Sequence, residues 1–288
     1  PRSTDSMSAD AVFRAGACFF TALPLYWNEN VEGAVMMKEQ IHTIPVNEAF
    51  DAGDECPFCF MERQLERSAI RYFAGPGASY MEPDVRGATD KEGFCGQHLK
   101  KMYDYGNSLG SALMMQTYMV GLFEEMQKEM DHFQIPGKRP LFGKKVEVEE
   151  SSLVQWARKR TCSCFVCNRI DYHMARYYAT FYHLIKDAEF RAKVEQSKGF
   201  CMEHFLQLME LAGENVPNGQ IQWFYPTVFR LMKENMARVK GDLDWFIEKF
   251  DYRNASADWK NSRDAVSRSM QKLRGIYPAD PPYKSEPR

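Results

Sequence analysis

Apolar residues recur every three or four positions through most of this 288-residue chain, the period of helices with one buried face. After Cys59 they fall at Met61, Leu65, Ala69, Tyr72 and Phe73, until Gly75-Pro76-Gly77 breaks the pattern. After Cys167 the pattern runs longer, through Ile170, Met174, Tyr177, Tyr178, Phe181, Leu184 and Ile185. Long helices are predicted over 108–133 and 219–250, and a last amphipathic helix over 258–273. Only Val146-Glu147-Val148-Glu149 alternates as a strand would. The predicted fold class is therefore mostly α. A Pro-rich end (Pro278, Pro281, Pro282, Pro287) is expected to be disordered.

The pattern occurs twice. Cys56-Pro57-Phe58-Cys59 is followed by Gly93-Phe94-Cys95-Gly96-Gln97-His98, and Cys164-Phe165-Val166-Cys167 by Gly199-Phe200-Cys201-Met202-Glu203-His204. Cys95 and Cys201 lie 106 positions apart, as do His98 and His204, Phe123 and Phe229, and Met126 and Met232. That offset, with the C-x2-C pairs 108 apart after a two-residue length change, predicts two tandem, pseudo-symmetric helical repeats, over about residues 50–133 and 160–239. The predicted organisation is an extension (1–35), a first repeat (36–135), a linker (136–150), a second repeat (151–250) and a C-terminal helix with its tail (251–288).

Three thiols and an imidazole make a closed tetrahedral metal set. Taken in chain order, Cys56, Cys59, Cys95 and His98 would hold one ion, and Cys164, Cys167, Cys201 and His204 a second, so that each repeat is pinned by its own centre. A Cys and a His three apart share one side of a first helical turn, where the helix dipole favours thiolate. The resulting knuckle-plus-helix arrangement resembles treble-clef zinc sites. With every ligand supplied by protein, the expected cofactor is structural zinc, two ions per chain, ahead of an iron–sulfur cluster. A dithiol redox role for Cys56 and Cys59 lacks the preceding strand such motifs need. The halves differ in two respects: Cys162 stands where the first half has Asp54, and one C-x2-C alone carries a Pro. Arg86 and Arg191 recur in both halves and, with Lys100 and Lys101, are candidates to offset the charge of the centres. The methionines of the 114–130 run are read as core filler.

Composition narrows the function classes. Hydrophobic residues make up 44%, enough for a real core, and the net charge of −2 supplies no general attraction to nucleic acid or anionic membrane. Six of eight cysteines lie in ligand spacing, which points to a reducing, cytoplasmic setting. The longest apolar stretch, Ala112 to Phe123, is too short and polar to cross a bilayer. Asp5, Asp10 and Pro24 argue against a signal peptide, and Met36 or Met37 is read as the natural start.

The paired C-P-x-C and G-F-C-x2-H-L motifs, with Tyr252-Arg253-Asn254, Trp259 and Asp264-Ala265-Val266, resemble an uncharacterised bacterial family, a domain of unknown function found mainly in anaerobic Gram-positive bacteria. The resemblance covers about residues 37–276 and implies a cytoplasmic protein without carrying over any catalytic residue. The resulting expectation is a zinc-binding, non-enzymatic adaptor or regulatory protein that binds a protein or small-molecule partner between its halves. A redox or iron–sulfur protein is the first alternative and a nucleic-acid-binding module the second.

Overall fold

The computed structural model describes residues 32–77, 79–135, 148, 151–275 and 277–280, with side chains from residue 42 onward. Among the described residues it contains eleven α-helices and no strand. They are α1 (Glu32–Asp51), α2 (Pro57–Ala74), α3 (Pro83–Glu92), α4 (Gly96–Tyr105), α5 (Ser108–His132), α6 (Ser152–Cys162), α7 (Phe165–Leu184), α8 (Ala188–Gln196), α9 (Met202–Asn215), α10 (Ile221–Glu248) and α11 (Ala265–Arg274). None of these helices is long and apolar enough to cross a membrane. The linker, apart from residue 148, lies outside the described residues, as do residues 1–31 and the tail beyond residue 280. Residues 32–35, read above as part of an extension, belong to α1. The last helix starts seven residues later than expected, because 258–264 form turns rather than helix.

The centre of the molecule is an antiparallel pair, α2 and α7. Phe58 at the start of α2 stacks on Tyr178 near the end of α7, with ring centroids 4.4 Å apart. Phe73 at the end of α2 meets Phe165 at the start of α7 edge-on, at 6.1 Å. Helix α1 packs against both, lowering Val46, Ala49 and Phe50 into the same core. Burying one such side chain is worth about 1.5–3 kcal/mol.

Two buried clusters result, and both draw on both halves of the chain. The larger joins Val46, Phe50 and Phe58 to Phe181, Phe200, Leu208 and Phe224. The smaller joins Ile70, Phe73, Phe94 and Met114 to Phe165 and Val166. Helices α2–α5 and α7–α10 follow the same order, but the symmetry stops there: α6 packs on α5, whereas α1 packs on α2 and α7. Of the methionine run, Met114 is buried and Met115 packs against the same cluster, whereas Met119 and Met130 are exposed.

Helix α11 lies on α9 and α10 and reaches the first C-x2-C through buried polar groups. Lys272, 2% exposed, donates to the carbonyls of Glu55 and Lys198, and the Glu55 carboxylate, 4% exposed, lies 3.4 Å away. Truncating one member of a buried charged cluster strands the others. Lys272→Ala is expected to cost about 3 kcal/mol in chemical denaturation. Lys240→Ala, on an exposed helix face, should stay within about 0.5 kcal/mol.

Candidate metal centres

All eight predicted ligands stand at helix starts. Cys56, Cys95, Cys164 and Cys201 are the N-caps of α2, α4, α7 and α9. Cys59, His98, Cys167 and His204 each follow three residues later, in the first turn. The C-x2-C pairs are thus not separate knuckles but helix starts like their C-x2-H counterparts. Each start presents two donors on one side, and its partial positive charge favours thiolate.

The ligand pairs are exchanged between the halves. Cys56 and Cys59 gather with Cys201 and His204 (centre I); Cys164 and Cys167 gather with Cys95 and His98 (centre II). The expectation that each half completes its own set is corrected. The reason is helix length. Helix α2 has 18 residues and carries the chain about 27 Å from Cys56. Helix α3, with 10 residues, can return only about 15 Å. Helices α7 and α8, with 20 and 9 residues, leave a similar shortfall. Each G-F-C-x2-H segment therefore stays near the far end of its own long helix. In an antiparallel pair, that end lies beside the other helix's C-x2-C.

The spacing of the donor atoms fits one tetrahedral ion in each set. Zinc bonds of about 2.3 Å to sulfur and about 2.0–2.1 Å to nitrogen give tetrahedral edges of about 3.8 Å between sulfurs and about 3.5 Å from sulfur to nitrogen. In centre I, Cys59 Sγ lies 3.6 Å from Cys201 Sγ, and His204 Nδ1 lies 3.5, 3.4 and 3.1 Å from the sulfurs of Cys56, Cys59 and Cys201. In centre II, Cys95 and Cys167 sulfurs are 3.9 Å apart, and His98 Nδ1 is 3.2, 3.2 and 3.4 Å from Cys95, Cys164 and Cys167. Both groups could hold a metal ion.

With Nδ1 turned to the sulfurs, each imidazole points Nε2 at a carboxylate of α2. His98 Nε2 donates to Glu66 at 3.0 Å, and Glu66 is paired in turn with Lys101. His204 Nε2 lies 3.3 Å from Glu62. The bonded Glu66 fixes the His98 ring and raises its basicity toward a metal, whereas the buried His204 Nε2 makes no hydrogen bond among the described residues. Glu62 and Glu66 lie three and seven residues after Cys59, and nothing in the Cys and His spacing marks either as a partner of a histidine.

Within each set the donors push one thiol down and the imidazole up. The Cys167 hydrogen bond, against the opposing effect of burial and with help from His98, holds the Cys164 thiol down to about 3. Cys167 is raised in turn, first by its bond to Cys164. Burial pulls His98 down, but Cys164 and Glu66 overcome it and push the imidazole up to about 10. In centre I, hydrogen bonds from Cys56 and then Cys59 hold Cys201 far below the thiol range, while Cys59 is raised, chiefly by its bond to Cys201.

The glycines of the two G-F-C motifs have a conformational reason. Gly93 and Gly199 sit at φ 66° and 72°, and a Cβ at Gly199 would come within 3.2 Å of the Leu231 carbonyl. This turn drops Phe94 and Phe200 into the two cores. The lone Pro also has a consequence. At centre II, the Phe165 amide donates to the Gly93 carbonyl at 2.9 Å. The matching residue at centre I, Pro57, has no N–H to give. There Lys272 bridges the Glu55 and Lys198 carbonyls.

Other expectations change. Arg86 bonds the Leu113 carbonyl, and Arg191 bonds the Ile185 and Lys186 carbonyls at the end of α7, so both brace helices rather than the centres. Lys100 pairs with Asp104 on its own helix. Cys162 ends α6 and belongs to neither ligand group.

Searches of curated proteins and of solved structures found no match. A family model, described as a family of unknown function (DUF6062), matches residues 37–280 and so contains all eight donors. The chain belongs to this family of unknown function, as the paired Cys and His motifs anticipated.

Proposed function

We propose that this chain is a non-enzymatic adaptor or regulatory protein whose two halves are joined by two zinc ions, each held by a ligand pair from either half. The observation that carries the reading is the geometry: eight donors form two tetrahedra with edges of 3.1–3.9 Å between the bonded pairs. Four protein ligands leave zinc no open position, which favours a structural over a water-activating role. Donors this close suit a single ion; a cluster, whose ligands bind different irons, spreads them further apart. A cytoplasmic setting, where thiols stay reduced, suits the ligand chemistry.

The partner in this reading is a protein. Helix α5 exposes Met119, Val120, Phe123 and Met130 and buries only Gly110 and Met114, an apolar surface of the kind that partners cover. The cleft between the halves beside Asp54, Lys193 and Lys198 has about 260 Å³, below the roughly 300–1,000 Å³ of small-molecule sites.

Elemental analysis of protein purified without added metal tests the first part. The expected result is two zinc ions per chain and no visible absorption. A brown protein containing iron and sulfide would overturn zinc.

A further inference from the structure

The two centres share a ligand set but differ in cover. At centre I, Cys56, Cys59, Cys201 and His204 are 0–1% exposed. Helix α11 closes over them. Its end passes so near that a Cβ at Gly275 would lie 3.5 Å from Cys59 Sγ and 3.7 Å from Cys201 Sγ. The cover is pinned from several sides. Asp54 accepts from the Cys56 amide at 3.0 Å and from Gln271 Nε2 at 2.6 Å, and it also pairs with Arg63. Arg63 binds Asp280 beyond the helix at 2.9 Å. Lys272 ties the same helix to the Glu55 and Lys198 carbonyls.

Centre II has a different surface. Cys164 and His98 are buried, but Cys95 and Cys167 are only half-buried, and their sulfurs are neighbours at 3.9 Å. The two less buried ligands thus share one edge of the tetrahedron.

We propose that centre II is an exchangeable metal site and centre I a permanent one; this rests on the zinc reading above. Zinc leaves a thiolate site when an incoming donor reaches the ion and displaces the protein ligands one by one. Each departing thiolate takes up a proton. The rate depends on access, so the less buried Cys95–Cys167 edge sets it. Affinity is a separate matter: the His98–Glu66–Lys101 chain keeps centre II well organised. The site can thus trade zinc with small chelating ligands while centre I keeps the halves joined, which makes the α4–α7 junction responsive to available zinc.

The test uses the full chain loaded with two zinc ions and challenged with excess of the colorimetric chelator pyridylazoresorcinol. One equivalent is expected to leave on the order of tenfold faster than the other. Alkylation by N-ethylmaleimide, mapped by mass spectrometry at the end of the fast phase, should mark Cys95 and Cys167 and spare Cys56, Cys59 and Cys201. Lys272→Ala should quicken the slow phase alone. Release of both ions in one phase, or first labelling at Cys59 or Cys201 in the unaltered protein, overturns the inference. A zinc-saturated chain that starts with fewer than two ions overturns the zinc reading itself, and the starting stoichiometry distinguishes the two failures.

Discussion

Replacing Cys201 by serine will unmask cysteines in the opposite half of the chain. Cys201 completes the set of Cys56 and Cys59, 142 residues from Cys59. Its loss leaves a three-ligand centre inside a fully buried pocket, with His204 and two thiols that no longer share an ion. The cost should reach about 5 kcal/mol, in the class reserved for lost metal or core sites. For a chain of this size that lowers the unfolding midpoint by about 10–20 °C. The diagnostic readout is the labelling pattern. Cys56 and Cys59 should become reactive to N-ethylmaleimide, while the labelling of Cys95, Cys164 and Cys167 should match that of the parent. Reactivity appearing instead at Cys164 and Cys167 would mean that the ligands pair within each half.

Removing both metals should have a larger effect. Each core is built around one centre: Cys56, Cys59 and Cys201 belong to one cluster and Cys164 to the other. Structural zinc contributes on the order of 10–16 kcal/mol to small domains, as much as the whole stability of many proteins, about 5–15 kcal/mol. Chain unfolded, stripped with chelator and refolded without metal is therefore expected to lose its cooperative thermal transition in circular dichroism. Adding two equivalents of zinc should restore that transition. A metal-free chain that melts as sharply and as high as the loaded one would show that packing alone carries the fold.

Both effects depend on a feature that the sequence shows only in part. The eight donors were legible because thiols and imidazoles at a spacing of three need no tertiary knowledge to share a helical turn. The helices were legible because Met61, Leu65 and Phe73, or Met174, Tyr178 and Phe181, follow the helical period. Which pair completes which set was not legible in that way. The gap from Cys59 to Cys95 is compatible with either pairing until the lengths of the intervening helices are laid against each other. Those lengths were readable in principle: Gly75 ends α2, and no helix before Cys95 is long enough to run back to Cys56. The antiparallel contact of α2 with α7 was not, because it depends on long-range packing of Phe58 on Tyr178 and Phe73 on Phe165. The cover of centre I was equally hidden, since Asp54 and Gln271 meet across 217 positions.

The central claim is that each ion joins the two halves. Substituting an NMR-active cadmium isotope for zinc and recording through-bond correlations from each cadmium to its cysteine and histidine protons tests it most directly. The account predicts one cadmium signal correlated with Cys56, Cys59, Cys201 and His204, and another with Cys95, His98, Cys164 and Cys167. A cadmium correlated with Cys56, Cys59 and Cys95 together would contradict it.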